Sequence, residues 1–593
     1  SYGHGSPFVY ATFKNGGATI RFNGRPTIWS GGLDEPVLGI TIHGKNYGLF
    51  GPIGSTWSAN EEDILVNIVD GKSYFSLALL PDNQHETLQL YKRYAYAHIV
   101  DTRVEWEYDP ATSSVTTEYA FITHAYEGEE RGTLFALYPH QWKTTSVNLA
   151  PESLSYISVR GPMRLAGGSR FTTVMRFPGV LSSLPDVVQD RTRLSELLSD
   201  AAATSLSNPG DTYWHGKTLG VLAGLIPIAE QLEDAESTAL LREELTSRLE
   251  DWFTTPDVDG LPDRYFFYDE NWGTLIGVKP SHGSSDQLND HHFHYGYFIR
   301  AAAEIARTDK DWASKEKWGG MIDLLIRDIA SPDRDDPLFP FLRCFDPYAG
   351  HAWASGHAKF GDGNNQESSS ESMNAWTGLI LWGEATGNQE IRDLGIYLYT
   401  TELYAAEQYW FDVDDDLFPP EYEQTCAALV WGGKTDYATW FSAAPEHTHG
   451  IILLPIQSGS LYLGLRPEYV SRNIEGLVTL RGDDQWEHWH DTLWNYEALT
   501  DADNAMRRFS ADADLLDPHA RAFTYHWIEA LQTLGHVDRT INADHPTAIA
   551  FTKDGRTTHV GYNMTDQPLT IRFSDGKSLD VGPGEWETSN PSE

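Results

Sequence analysis

The segment FGDGNNQESSSESMNAWTGLILWGEATGN, Phe360 to Asn388, decides how this chain is read. A loop of Gly, Asn and Asp runs to Glu367, three serines follow, then Glu371, then an apolar run. Ser, Asn and Asp side chains compete for backbone hydrogen bonds and favour helix starts, which predicts an N-terminus near Gln366 to Ser368. Met373, Trp376, Leu379 and Ile380 then fall at helical spacing, and Gly387 marks the end. Glu367 and Glu371 are four apart, so a regular first turn puts both carboxylates on one face, where the helix dipole favours negative charge.

Two glutamates in a first turn ordinarily cap the helix and complement its dipole. Three features argue for more. The preceding loop is rich in the residues that let backbone approach a ligand. The helix is apolar on more than one side, so its start lies in an interior. A second cluster, NDHHFHYGYF from Asn289 to Phe298, repeats the pattern: Asp290 and His294 are four apart at the start of another apolar helix, expected over Phe298 to Ala306.

These blocks carry a resemblance. DHHFHYGYF, DGNNQESSSE and CFDPYAGHAWASG (Cys344 to Gly356) resemble the signature blocks of glycoside hydrolase family 81, the endo-β-1,3-glucanases. VWGGKTDYATWFSAAPEHTHGIILLPI (Val430 to Ile456) and YDENWGTLIG (Tyr268 to Gly277) are similar to further blocks. They follow the family's order over roughly the central half of the chain. The flanks agree in character rather than in motif.

At 593 residues the chain is too long for one ordinary core. Residues 1–185 read as short strands rich in β-branched and aromatic residues, bounded by Gly, Asp, Asn or Pro: ATIRFNG, LGITIHG, DILVNIVDG, SYFSLALL, RYAYAHIV, TRVEWEYD, SVTTEYAFITHAY and GTLFALY. Their spacing predicts an antiparallel β-sandwich, with DPATS and DGKS as hairpin turns and a structural rather than a sugar-binding role. Residues 186–540, whose first part could form a small linker domain, turn helical, from LSELLSDAAATSLS to TYHWIEALQTL, with enough chain for about a dozen helices. Periodicity gives an all-α domain; the resemblance implies an (α/α)6 barrel. Residues 541–593 return to strands (AIAFTK, THVGYN, LTIRFSD), expected to pack on the larger body.

Composition excludes several partners. Lys+Arg 43 against Asp+Glu 85 gives a net charge of −42, which repels nucleic-acid phosphates and anionic lipids but not a neutral glucan. Solubility or a salty habitat accounts for that charge better than binding does. Hydrophobic content of 40% supports large cores, and 20 Trp exceed what packing alone usually demands. The longest apolar run, Thr218 to Ala229, is broken by Pro227 and too short to span a membrane. Cys344 and Cys426 are the only cysteines and read as two buried thiols. The opening SYGHGSPFVY, without an initiator Met, fits a secreted protein whose leader was removed, and a trimmed chain would look the same. Asn563-Met564-Thr565 matches a glycosylation acceptor, a weak signal alone.

Glycoside hydrolysis needs a carboxylic acid to protonate the leaving oxygen and a carboxylate acting on the other face of the sugar. The two stand roughly 6.5–9.5 Å apart in inverting enzymes and about 5–5.5 Å in retaining ones. The resemblance implies Asp290 as general acid and Glu371 as general base, with inversion, and Glu367 as an auxiliary carboxylate. The residues themselves leave Glu367 and Glu371 open as the base; the family match favours Glu371. Burial against aromatics is expected to raise the pKa of Asp290, and His294 to hold Asp290 or bind substrate. Asp269, Trp272, His351, Trp353, Lys434, Asp436, Tyr437 and Trp440 are further candidates for gripping sugar by stacking and edge hydrogen bonds, against core packing at even odds for any one aromatic. Tyr295 and Tyr297 face either core or cleft.

Two metal signals weigh less. His291, His292 and His294 beside Asp290 are potential ligands, but no HExxH is present and adjacent helical histidines point apart. FDVDDDLFPPEYE spaces Asp412, Asp414, Asp416 and Glu423 like a calcium loop, yet has two prolines and no glycine at the turn. The expectation is a secreted, monomeric endo-β-1,3-glucanase without metal or cofactor, acting on laminarin, curdlan or callose-type walls. The alternatives are a polysaccharide lyase, which needs a uronate and a cationic neutraliser, and a glucan-binding protein without activity, against which the intact carboxylates argue.

Overall fold

Strand alternation over the first part of the sequence becomes sheet, and the 3.6-residue period that follows becomes helix. The computed structural model describes all residues except 15–17, 60–62, 68–70, 205, 255–262, 358, 511–512, 514, 517–519 and 590–593, and the side chains of 59 and 63–67. The chain divides into two units. One holds Ser1–Glu107, Thr116–Val174 and Pro347–Ala349; the other holds Tyr108–Val115, Met175–Asp346 and Gly350–Glu593.

In the first unit an antiparallel sheet runs in the order Phe8–Thr12, Tyr74–Leu80, Lys45–Phe50, Val37–Ile42, Thr27–Ser30. LGITIHGKNYGLF forms its tightest hairpin: Ile42 pairs with Lys45 across His43 and Gly44. Both turn residues have positive φ, 48° and 72°, as a two-residue turn matched to strand twist requires. Phe8, Tyr10, Phe50, Leu88, Tyr91 and Leu165 form the core beside this sheet. Thr19–Arg21, Asp63–Asn67 and Thr56–Ala59 make a small sheet, and Thr133–Leu137, Gly161–Gly168 and Tyr156–Ser158 another.

Two local expectations fail here. RYAYAHIV is not a strand of its own: Arg93 and Tyr94 end a helix, His85–Tyr94, and AHIV joins TRVEWEYD in one strand, Ala97–Asp109. Leu88, Tyr91 and Tyr94 recur at helical spacing and are buried, a period masked by the aromatic content. DGKS closes no hairpin, because the flanking strands Asp63–Asn67 and Tyr74–Leu80 belong to different sheets; its Asp70 lies outside the described residues. DPATS does turn between Ala97–Asp109 and Ser114–Ala125, with the Ala111 amide donating to Asp109 Oδ1 (3.0 Å).

The second unit is mainly helical. Helices span Arg191–Ala203, Thr212–Gln231, Ala235–Phe253, His291–Thr308, Gly319–Ala330, Ser369–Thr386, Gln389–Tyr409, Pro467–Arg481, His490–Arg508 and Arg521–Leu534. The helical reading of WASKEKWGGMIDLLIRDIA holds only from Gly319; before it the chain makes turns, with the Trp312 amide on Asp309 Oδ1 (2.9 Å). Ser369–Thr386 is buried from Ser369 to Ala385, so every side of it meets protein. It lies directly on His291–Thr308: a Cβ on Gly296 would stand 2.6 Å from that of Ala375, so only glycine permits the approach. The loop after Ala235–Phe253 carries a hairpin, Tyr265–Asp269 with Thr274–Val278. No helix among the described residues is long and apolar enough to cross a membrane.

The last strands belong to this unit as well. His536–Val537, Ala548–Lys553, Arg556–Tyr562 and Trp586–Thr588 form one sheet, turning at Asp554-Gly555 with φ of 52° and 76°. Arg307 Nη1 donates to the Tyr562 hydroxyl (3.1 Å) and Lys310 Nζ to the Met564 carbonyl (3.0 Å). Asn563 is fully buried and gives its amide to Gln567 and Val581 carbonyls (2.8 and 3.0 Å), so the tripeptide serves structure rather than a glycan. Cys344 and Cys426 are free and buried.

Candidate active site

The Ser369–Thr386 helix starts where the serines put it. Ser368 is the N-cap, and Gly387, in the left-handed region at φ 70°, ends the last turn. Ser370 Oγ donates to the Ile452 carbonyl (2.9 Å) and pairs with the Tyr462 hydroxyl (2.7 Å), anchoring the first turn. Glu367 precedes the N-cap, so it shares no helical face with Glu371 as the spacing had suggested. Asn365 and Gln366 pair instead with Trp431 and Val430 in a short ladder that sets the entry of the chain.

Glu371 sits in the first turn and is buried. The Tyr297 hydroxyl donates to its Oε1 (2.7 Å), Tyr213 hydrogen-bonds it, and Lys217 Nζ stands 3.9 Å away. Two phenols and an ammonium thus converge on one carboxylate, the surroundings of a proton acceptor. Glu367, half-buried, is pushed up to about 7: desolvation raises it, the Trp440 amide on Oε1 (3.3 Å) lowers it, and the charge of Glu371 raises it.

Asp290 is the N-cap of the second helix, which begins at His291 rather than Phe298. Its backbone is left-handed, φ 59° and ψ 21°, an uncommon conformation for a non-glycine residue. Its N–H donates to the Ala354 carbonyl (2.8 Å), and its carbonyl accepts the amides of Phe293 and His294 (2.9 and 3.0 Å). Its Oδ2 receives the Asn289 side-chain amide (2.7 Å). Burial holds the Asp290 carboxyl well above its ordinary range, reinforced by the charges of Glu371 and then Glu367. The three carboxylates therefore form one electrostatic cluster, brought together from two helix starts.

The histidines around Asp290 point to three different partners. His291 lies between Asp328 Oδ2 (2.9 Å) and the Ser284 carbonyl (2.8 Å), with Asp328 in turn bound by Arg343 and the Leu275 amide (2.7 Å). His292 Nε2 meets Gln366 Nε2 at 3.2 Å, tying the two helix starts together. His294 is fully buried with Nδ1 on Thr212 Oγ1 (2.8 Å), so its ring bonds the neighbouring helix and not the Asp290 carboxylate. Asp412 accepts the amides of Asp416, Leu417 and Phe418, closing its acidic loop by itself.

The other sequence candidates divide. Trp440 is 61% exposed, its amide on Glu367 and its ring 5.8 Å from Trp431, which leaves an open aromatic face next to Glu367. Lys434, over the Trp431 ring at 5.1 Å, pairs with Asp436 (3.0 Å). Tyr437 is half-buried edge-on to His449 (5.6 Å). Asp269 accepts the amides of Asn271 and Trp272 (2.9 and 3.3 Å) and so closes the hairpin turn, leaving Trp272 at its tip, 66% exposed. His351 is fully buried against Trp353 and Trp410, and half-buried Trp353 donates to Asp346 Oδ2 (3.2 Å). Tyr295 faces the core, its hydroxyl on the Leu275 carbonyl (2.7 Å), while Tyr297 reaches Glu371. Tyr213 and Lys217 were not singled out by sequence. Their signal was there: DTYWHGK opens an apolar helix with a polar first turn, as the other two sites do.

A protonated carboxyl beside a donor-supported carboxylate, flanked by exposed aromatic faces, can move a proton to one group and from another on a stacked ring. The profile of the glycosyl hydrolase family 81 C-terminal domain matches residues 188–527. The chain is 46% identical over 592 residues to a glucan endo-1,3-beta-D-glucosidase of Acetivibrio thermocellus, covering 99% of this chain and 76% of that one. To the protein of the same name from Thermobifida fusca it is 44% identical, covering 99% and 77%. Among solved structures, a point variant of the family 81 glycoside hydrolase of Clostridium thermocellum superposes with a TM-score of 0.96 at 46% identity, over 99% of this chain and 82% of that one. Profile, sequence and fold coincide along the chain, which belongs to glycoside hydrolase family 81.

Proposed function

We propose that this chain is a secreted endo-β-1,3-glucanase that cleaves laminarin, curdlan or callose-type glucans with inversion at the anomeric carbon. In this reading the strand-rich and helical units correspond to a β-sandwich and an (α/α)6 barrel. Asp290 gives its proton to the leaving oxygen while Glu371 takes one from the attacking water. Glu367 is the third carboxylate, whose charge helps keep Asp290 protonated. The observation that carries the reading is the unequal treatment of Asp290 and Glu371. Burial and two negative neighbours hold a proton on Asp290, whereas Tyr213, Tyr297 and Lys217 gather on Glu371. The names of the bacterial relatives supply the substrate.

Time-resolved proton NMR of a β-1,3-gluco-oligosaccharide digest tests it. The α-anomer is expected first. If the β-anomer comes first, the carboxylate roles are wrong and a retaining pair must be sought; binding without cleavage would instead indicate a glucan-binding protein.

A further inference from the structure

Asn289 adjoins Asp290 in sequence and meets it again through its side chain. In extended backbone the side chains of adjacent residues point to opposite faces. Here left-handed residues flank Asn289, Leu288 with φ 50° and Asp290 with φ 59°, and the chain curls so that the Asn289 amide reaches the Asp290 carboxyl. Such backbone is costly for residues other than glycine and persists only where the surroundings fix it. They do so here: the Asn289 N–H donates to the Gly283 carbonyl (3.3 Å) and the Asp290 N–H to the Ala354 carbonyl (2.8 Å).

Both side-chain amide protons of Asn289 have a destination. Nδ2 donates to Asp290 Oδ2 (2.7 Å) and to the His282 carbonyl (3.0 Å). A backbone carbonyl only accepts, so the nitrogen, not the amide oxygen, is the atom that faces this pair. The His282 segment is itself braced. Ser281 Oγ donates to Oδ1 of Asp211 (2.9 Å), the N-cap of the helix that carries Tyr213, and the His282 ring lies edge-on to Tyr213 (4.7 Å). Asn289 therefore hangs from a loop fixed to the same helix start that serves Glu371.

We propose that Asn289 is a positioning residue for the acid: it makes Oδ2 the carbonyl oxygen of the protonated Asp290 carboxyl and so leaves the transferable proton on Oδ1. In the transfer the Oδ1–H bond breaks and its electron pair stays on Asp290. The glycosidic oxygen takes the proton and leaves with the electrons of its bond to the anomeric carbon, while water, deprotonated by Glu371, forms the new bond there. As Asp290 becomes a carboxylate, the Asn289 bond becomes charge-assisted and strengthens. It therefore stabilises the transition state more than the ground state. Burial and two negative neighbours hold the proton on Asp290, and Asn289 eases its release. The inference rests on the reading of Asp290 as general acid.

The test is steady-state kinetics of Asn289→Leu beside Asp290→Asn, on a β-1,3-glucan and on an activated aryl glycoside whose leaving group needs no proton. Asn289→Leu is expected to lower kcat on the glucan by roughly 10- to 100-fold with KM little changed, and by under about threefold on the aryl glycoside. The lost donor favoured the ionised carboxyl, so the alkaline limb of the kcat/KM profile on glucan should move to higher pH. Should that variant fail to fold, Asn289→Asp, of nearly the same shape but without amide protons, should show the same split between substrates. Equal losses on the two substrates, a rise in KM alone, or an unmoved alkaline limb would overturn the proposal. Asp290→Asn tells this failure from that of the reading beneath it: if that variant keeps its activity on glucan, the acid is misassigned and Asn289 has no proton to position.

Discussion

Asp290 and Glu371 occupy the same kind of place, the start of a buried helix, and are treated in opposite ways. Asp290 caps its helix from a left-handed backbone and receives one amide, from Asn289, while two carboxylates face it. Glu371 lies inside the first turn and receives two phenols with an ammonium nearby. The carboxyl group and the helix start are common to both, so neither sets the role. In the proposed reading, what separates donor from acceptor is which neighbours burial leaves each group to interact with.

That contrast predicts the largest effects. Asp290→Asn and Glu371→Gln should each lower kcat by roughly 10²- to 10⁴-fold on polysaccharide. They should part on a substrate whose leaving group needs no proton, such as an activated aryl glycoside. There Asp290→Asn recovers most of its activity and Glu371→Gln none. Equal recovery, or recovery of the wrong variant, would reverse the two roles.

Removing the donors around Glu371 should blur the contrast. Tyr297→Phe and Lys217→Met take away a hydrogen bond to Glu371 and the positive charge nearest it. Each should lower kcat by about tenfold with KM little changed. A kcat that holds while KM alone rises would make these residues sugar contacts only.

Glu367→Gln should act on the other partner and more weakly. Its charge is the smaller of the two that raise Asp290, so removing it lowers the Asp290 pKa. The alkaline limb should move to lower pH. An unmoved limb would leave Glu367 to hold Trp440 through its amide and nothing more.

How much of this could be read beforehand varies with the range of the interaction. Ser368 to Glu371 was legible because helix starts are written locally, in Ser and Asn side chains and the apolar period after them. The same local code misled at Asp290, where HHFHY hides the period and the helix appeared to begin later than it does. Grouping by neighbourhood in sequence also failed for Asp269 and His351, since lying in a motif block does not say whether a side chain faces cleft, turn or core. Lys217 and Tyr297 meet Glu371 across 154 and 74 positions, and only the packing of three helix starts reveals them.

Glu402 shows desolvation acting apart from the three clustered carboxylates. It is fully buried, its Oε2 accepts from Trp376 Nε1 (2.7 Å) and the Ala352 amide (3.3 Å), and burial pushes its carboxyl up to about 8. A carboxyl raised on folding binds more protons in the folded state, so its contribution is full below the ordinary value of 4.5 and is lost as pH climbs to about 8. Tm should therefore decline through that window. Glu402→Gln, which keeps an acceptor for Trp376 and has no proton to lose, should flatten the decline by a few degrees at its alkaline end. If the variant and the parent fall in parallel, the slope belongs to Asp290 and Glu367, and the carboxylate cluster alone couples stability to pH.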